Sequence, residues 1–202
     1  MNENLSSFVE KCEELRTYSE NCLEDLQINR RSAIYAAHAS ISYEHFASML
    51  MLIRNHCPAS AAALARPHFE TLVRGMWINL MCDDSDIEKL FAWKRLEKLP
   101  KIVPMLDDID KGYGADGAIK SFHAHWKTLC GLTHGGPEQL CRRFLPDGKI
   151  CSSFSEEDLV KILKLTADAS TFGVIPLLVT LGEQEKADGL HAFHSKIFGW
   201  SN

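Results

Sequence analysis

The chain has 202 residues, 46% hydrophobic and 24% charged, which suits one globular domain with a core that needs neither metal nor disulfide. A formal charge of −5 excludes a general long-range attraction to nucleic acid or to an anionic membrane, but leaves room for a local cationic patch. Seven cysteines, odd in number and without a C-x-x-C pair, exclude a thiolate zinc site of ordinary spacing. They read as small core hydrophobes.

Met1 to Asn4 carry no basic segment followed by an apolar one, so no export signal is expected. The most apolar run, Phe172 to Leu181, falls short of the roughly 20 residues that a bilayer span requires. The expected location is the cytoplasm, with no membrane role.

In chain order, Leu5, Phe8, Val9, Cys12, Leu15, Cys22, Leu23 and Leu26 follow a helical period, with Ser7 and Glu10 as a candidate capping box. A long second helix is predicted from about Asn29 to His56, with Ile34, Ala37, Ile41, Phe46, Met49, Leu50 and Ile53 inward. Pro58 ends it and opens a third helix to Met81, which Pro67 should kink or split. Ser85 and Glu88 suggest another capping box and a helix through Leu96. A short helix after Pro100 precedes Gly112 to Gly114. The next spans about Ala115 to Thr133 and ends at Gly135 and Gly136. Residues 137–150 are irregular, with a turn at Pro146 to Gly148 and room for a short strand pair over 145–151. Ser155 and Asp158 open a long helix that should bend at Gly173 and Pro176. A final helix covers about Glu185 to Trp200. No repeat, linker or domain boundary interrupts this pattern. The expected architecture is all-α: a single-domain antiparallel helical bundle, residues 1–202, with kinked long helices.

Two segments concentrate chemistry. On the third helix, Arg66, Glu70 and Arg74 fall within roughly 40° of one another, an Arg–Glu–Arg ladder bordered by Val73 and continued by Trp77 and Met81. Such a ladder is either a structural ion network or an anion site in which Glu70 orients two guanidinium forks. The second segment, Thr133 to Arg143, supplies Thr133, His134, Gln139, Arg142 and Arg143 beside paired glycines that let backbone approach a ligand. His134 is either a helix C-cap or the best-placed general acid or base.

The remaining candidates are weaker. His123 and His125 alternate and cannot share a helix face, whereas His191 and His194 are three apart without an acidic pattern to complete a metal site. Lys94, Arg95, Lys98 and Lys101 near Trp93 fit a solvated face, with Glu97 interrupting them. Kinks at Pro67 and Pro176 could open a small-molecule pocket. No P-loop, dinucleotide fingerprint, G-x-S-x-G or H-E-x-x-H is present, and no metal or cofactor is expected.

The string A-L-x-R-P-x-F-E-x-x-V-R-G-x-W at Ala63 to Trp77, with T-H-G-G-x-x-Q-L at Thr133 to Leu140, resembles a family of small uncharacterised bacterial helical proteins. That family is similar to the HEPN superfamily of nucleotide-binding modules and ribonuclease toxins. The resemblance implies a helical bundle, often dimeric, with Arg66, Glu70, Arg74, Thr133, His134 and Gln139 as its polar positions. The superfamily's nuclease signature, an arginine followed after four to six residues by a histidine, has one match, Arg31 to His38. Roughly one match is expected by chance, and this one lies early in the chain.

The expectation is therefore a HEPN-like protein of a bacterial defence or stress system that binds a nucleotide or RNA phosphate, with RNA cleavage through His134. A partner protein from the same system is also expected. The rival expectation is a non-catalytic homodimeric interaction module in which the Arg–Glu–Arg network is structural.

Overall fold

The computed structural model describes residues 3–92, 94–96, 99–114, 122–144, 147–151 and 153–199. Its elements are α1 (Glu3–Leu23), α2 (Arg30–Arg54), α3 (Pro58–Met81), α4 (Asp84–Phe91), α5 (Ile102–Tyr113), α6 (His123–Thr133), α7 (Pro137–Leu140), a 3-10 turn (Cys141–Arg143), α8 (Glu156–Thr180) and α9 (Gln184–Phe198). The fold of the described residues is all-helical, with one isolated antiparallel bridge, Phe144 to Ile150, where a strand pair was predicted. Leu145 and Pro146, the predicted start of the helix at Ala115, and Trp93, Glu97, Lys98 and Trp200 lie outside the described residues.

Local chemistry sets most helix starts. The Asn29 side chain accepts from Ser32 N–H at the start of α2, and Ser155 with Asp158 forms the predicted capping box of α8. Two predicted caps fail. Ser7 and Glu10 lie inside α1, which begins four residues before Ser7. Helix α4 starts from Asp83, which accepts from Asp86 N–H, rather than from Ser85. The α3–α4 connection is so short that Asp83 is already extended where the turn opens, and its carboxylate also answers the helix dipole. That bond holds the Asp83 carboxyl below its ordinary pKa.

Helix α3 is central. It runs through Pro67 without being split. Contacts of Arg31 with Asn79 and Cys82, of His38 with Gly75, and of Ser42 with His68 show that α2 and α3 are antiparallel. Gly75 makes the approach close, since a Cβ there would lie 2.8 Å from His38 Cβ. Helix α8 runs parallel to α3, with His68 beside Thr166 and Ser170 and Leu72 beside Gly173. Helix α9 runs back along α8, pairing Asp168 with His194 and Lys164 with Phe198. Helix α8 is long and apolar enough to span a bilayer by composition. It nevertheless packs along α3, α2, α1 and α9, with Leu163, Ala167, Val174, Leu177 and Leu178 fully buried.

The predicted inward face of α2 holds only at its C-terminal half. Phe46, Met49, Leu50 and Ile53 are buried, whereas Ile34 is half-buried and Ala37 and Ile41 are exposed. Tyr35, Ala39, Ser42 and Tyr43 face the core instead, because close packing at Gly75 and the His68 network admits small and polar groups there. The cysteines divide as well: Cys12, Cys22 and Cys82 are buried, but Cys57 and Cys141 are exposed.

His68, the histidine of α3, is fully buried. Nδ1 lies 2.7 Å from Ser42 Oγ and 3.0 Å from Ser42 O, and Nε2 lies 3.2 Å from Thr166 O and 3.3 Å from Ser170 Oγ. A neutral ring carries one proton, so it donates to one of the Ser42 and Thr166 carbonyls while a neighbouring serine hydroxyl, Ser42 or Ser170, can donate to its other nitrogen. Burial lowers the His68 pKa to about 4, against an ordinary value of 6.5. Between those values the unfolded chain binds a proton that the folded chain refuses, so stability falls as pH drops through that window. The loss from His68 is on the order of 3 kcal/mol. Urea unfolding at pH 7 and pH 4.5 should show a markedly smaller pH effect in His68→Gln than in wild type; equal effects would clear His68 as the source.

Candidate functional site

The ladder exists as the spacing predicts. Arg74 Nη2 donates to Glu70 Oε1 at 2.5 Å, and Arg66 Nε lies 3.5 Å from Glu70 Oε2. The three side chains are 21–30% exposed, too buried for a solvated surface ladder and too open for a sealed core triad. The stripe extends as expected only in part. Trp77 is half-buried and donates from Nε1 to Asp108 at 2.9 Å, but Met81 is 50% exposed.

The two sequence segments meet. Arg66 Nη1 donates to His134 Nε2, and the guanidinium lies 5.1 Å above the Trp126 ring. Because a guanidinium is always a donor, this contact places the His134 proton on Nδ1. His134 is exposed at the C-cap of α6, where the helix dipole also favours the Arg66 charge.

Pro67 explains how they meet. It deprives the Ala63 carbonyl of its helical N–H partner, and Thr133 Oγ1 approaches that carbonyl at 3.1 Å while also reaching Leu129 O at 3.0 Å. Gln139 Nε2 donates to Ala59 O at 3.2 Å. Ala59, Ala63, Arg66, Glu70 and Arg74 lie on one stripe of α3, so Gln139, Thr133 and His134 clasp its first three positions. The paired glycines serve the same end. Gly135 adopts φ +66° and Gly136 N–H bonds Gly131 O at 2.8 Å, closing α6. A Cβ on Gly136 would lie 2.9 Å from Gly131 Cα.

Thr133 and Gln139 thus brace backbone, while Arg66, Glu70, Arg74 and His134 form one connected polar cluster. Arg142 lies apart from it. Its guanidinium bonds Asp158 at 3.2 and 3.4 Å, reaches Glu138 O and covers the Phe154 ring at 5.5 Å. Burial alone would raise the Asp158 carboxyl, but its bonds to Arg142 and Ser155 hold it below its ordinary pKa and raise that of Arg142. Arg143 acts through its backbone, its carbonyl accepting from Cys151 N–H at 2.9 Å. Arg31 holds the carbonyls of Asn79 and Cys82 and pairs with Asp84 at 2.8 Å.

Trp126 and the His68 network escaped the sequence reading, and His38 entered it only as the end of the Arg31 match. Trp126 carried a signal, since an aromatic residue one helix away from an arginine-rich stripe is a natural cation–π partner. Among the described residues no group of three or more His, Cys, Asp or Glu side chains is placed to hold a metal ion.

A family of unknown function, DUF6988, matches residues 39–198 of the chain, which belongs to that family. The match includes the whole of α3, α6 and α7 and leaves out α1. No curated protein matches the chain, and no solved structure does.

Thr133→Val should destabilise the fold by about 1–2 kcal/mol, because the Ala63 carbonyl loses its hydroxyl. In a Pro67→Ala background the restored N–H takes that carbonyl, and the cost of Thr133→Val should shrink. A double-mutant cycle in urea measures the coupling; strict additivity would show that Thr133 answers some other group.

Proposed function

We propose that this is a HEPN-like bacterial protein of a cytoplasmic defence or stress system that holds a nucleotide or RNA phosphate on Arg66 and Arg74, with His134 as acid–base residue for RNA cleavage. The observation that supports this most is the Arg66–His134 contact, which joins the ladder to the histidine. Two guanidinium groups share one carboxylate, so the ladder keeps a net positive charge and donors that Glu70 leaves unused. A phosphate arriving at Arg66 competes for its donors and frees His134 Nε2. The freed nitrogen can then take the proton of a 2′-hydroxyl as its oxygen attacks phosphorus, or protonate the departing 5′-oxygen.

Induced expression of wild type, Arg74→Ala and His134→Ala in a bacterial host tests the reading. Wild type should stop growth and fragment total RNA, with activity lost by about 10²-fold or more in each variant and melting temperatures nearly unchanged. Three strains that grow alike with intact RNA, together with no binding of a fluorescent nucleotide to the purified protein, would overturn it.

A second reading, a homodimeric interaction module with a structural ladder, is favoured by a different observation. Leu140, Phe144 and Ile150 are 53%, 57% and 77% exposed, and the bridge sets Phe144 opposite Ile150. Light scattering should then give a dimer that Ile150→Asp converts to monomer, whereas a wild-type monomer would remove this reading.

A further inference from the structure

Ile34, Ile41, Ile78, Leu90 and Phe91 line a cleft of about 760 Å³ between α2, α3, α4 and the described residues of the following coil. That volume lies within the range of roughly 300–1,000 Å³ typical of small-molecule sites. The face of α2 that was expected to point into the core, Ile34, Ala37 and Ile41, forms one of its walls. Among the described residues no helix covers it: Ile41 remains 45% and Phe91 39% exposed. The Arg30 guanidinium lies 4.7 Å from the Phe91 ring centroid and pairs with Glu88 at 2.6 Å, which fixes the far edge.

The charged side chains among the described lining residues of this apolar cavity are cationic. Arg74, Lys94 and Arg95 are the charged residues among its described lining, with Glu88 held by Arg30 at the far edge, in a chain whose net charge is −5. Arg74 uses one guanidinium nitrogen on Glu70, which itself lies outside the lining. His38 completes the polar end, with Nδ1 buried and without a hydrogen-bond partner among the described residues. Burial, and then the neighbouring Arg74 charge, lower its pKa, so near neutral pH the ring offers a neutral donor or acceptor.

We propose that this cleft binds a free amphipathic organic anion, an aliphatic or aromatic body with a single carboxylate or similar head, its body on Ile34, Ile41, Ile78 and Phe91 and its head on Arg74 with Lys94 or Arg95. Apolar burial supplies affinity and the cationic rim selects the sign of the head. The cleft shares Arg74 with the proposed phosphate site but uses neither Arg66 nor His134, so dodecanoate binding is read separately from RNA cleavage.

Dodecanoate, below its aggregation concentration, serves as the probe in isothermal titration of the full chain. Binding should saturate at one site per chain and exceed that of dodecyltrimethylammonium, the same tail with a cationic head, by about tenfold or more. Ile41→Glu, a charge on an exposed wall, should weaken it by at least about tenfold, while Val179→Glu, exposed and outside the cleft, should not. Should Ile41→Glu misfold by circular dichroism, Ala37→Phe, which fills the cleft from an exposed position, gives the same readout. Equal binding of the two surfactants, wild-type affinity in the folded cleft variant, or no saturable binding would each overturn the proposal. So would binding to vesicles of anionic phospholipid without binding to monomeric dodecanoate, since that describes a lipid surface rather than a free ligand.

Discussion

A missing backbone hydrogen in the middle of α3 organises much of this molecule. Pro67 leaves the Ala63 carbonyl without the N–H that every other turn would supply, and a buried carbonyl needs a partner. The partner is the Thr133 hydroxyl, which requires the last turn of α6 to lie against α3 at that level. Once α6 ends there, Gly135 and Gly136 turn the chain, His134 reaches Arg66, and Gln139 reaches Ala59. The neighbouring residue, His68, points to the opposite side and ties α3 to α2 and α8. One short segment therefore fixes the polar stripe on one face of α3 and the core on the other.

The electrostatics follow from a single carboxylate serving two guanidinium groups. Glu70 accepts a hydrogen bond from Arg74 and only an ion pair from Arg66, whose Nε is buried without hydrogen-bond geometry. Arg66 is compensated elsewhere, by the Trp126 face and by His134 at a helix C-terminus. Arg74 has no such second partner among the described residues and stands at the mouth of an apolar cleft. The ladder thus faces two environments, a polar helix end at Arg66 and an apolar cavity at Arg74. At about a quarter exposure, charges here interact more strongly than in open water without bearing the full desolvation cost of the interior.

Elements with a local cause were legible in the sequence. Asn29, Pro58 and the Ser155–Asp158 box place helix starts within a residue or two, since a cap is chemistry between near neighbours. The Arg66, Glu70 and Arg74 stripe was equally legible, being a property of helical pitch. What failed depended on packing from elsewhere in the chain. Helix α2 carries apolar residues around much of its circumference, so periodicity could not decide that Tyr35, Ala39 and Ser42 would face inward and Ile41 outward. Gly75 and His68 on the neighbouring helix decide it. The visible proline and threonine likewise gave no sign that one completes the other, because 66 residues of chain separate them. Between α3 and α8, near Phe69, Leu72 and Gly173, the void measures about 20 Å³.

This division of labour along the stripe determines which residues can separate stability from function. Arg66 pairs with Glu70, stacks on Trp126 and donates to His134, so its removal disturbs packing, charge and the helix end together. Thr133 and Gln139 hold backbone, and their loss acts through the position of α6. Arg74 differs, because its described ties end at Glu70 and the rest of its guanidinium faces the cleft. An exposed i,i+4 ion pair contributes only about 0.3–0.5 kcal/mol, so removing Arg74 costs the fold little, though somewhat more at this partial burial. A change in ligand binding after that substitution therefore reports on charge at the cleft and ladder rather than on the integrity of α3. Among the four residues of the polar cluster, Arg74 is the one whose chemistry can be tested with the least change to the scaffold.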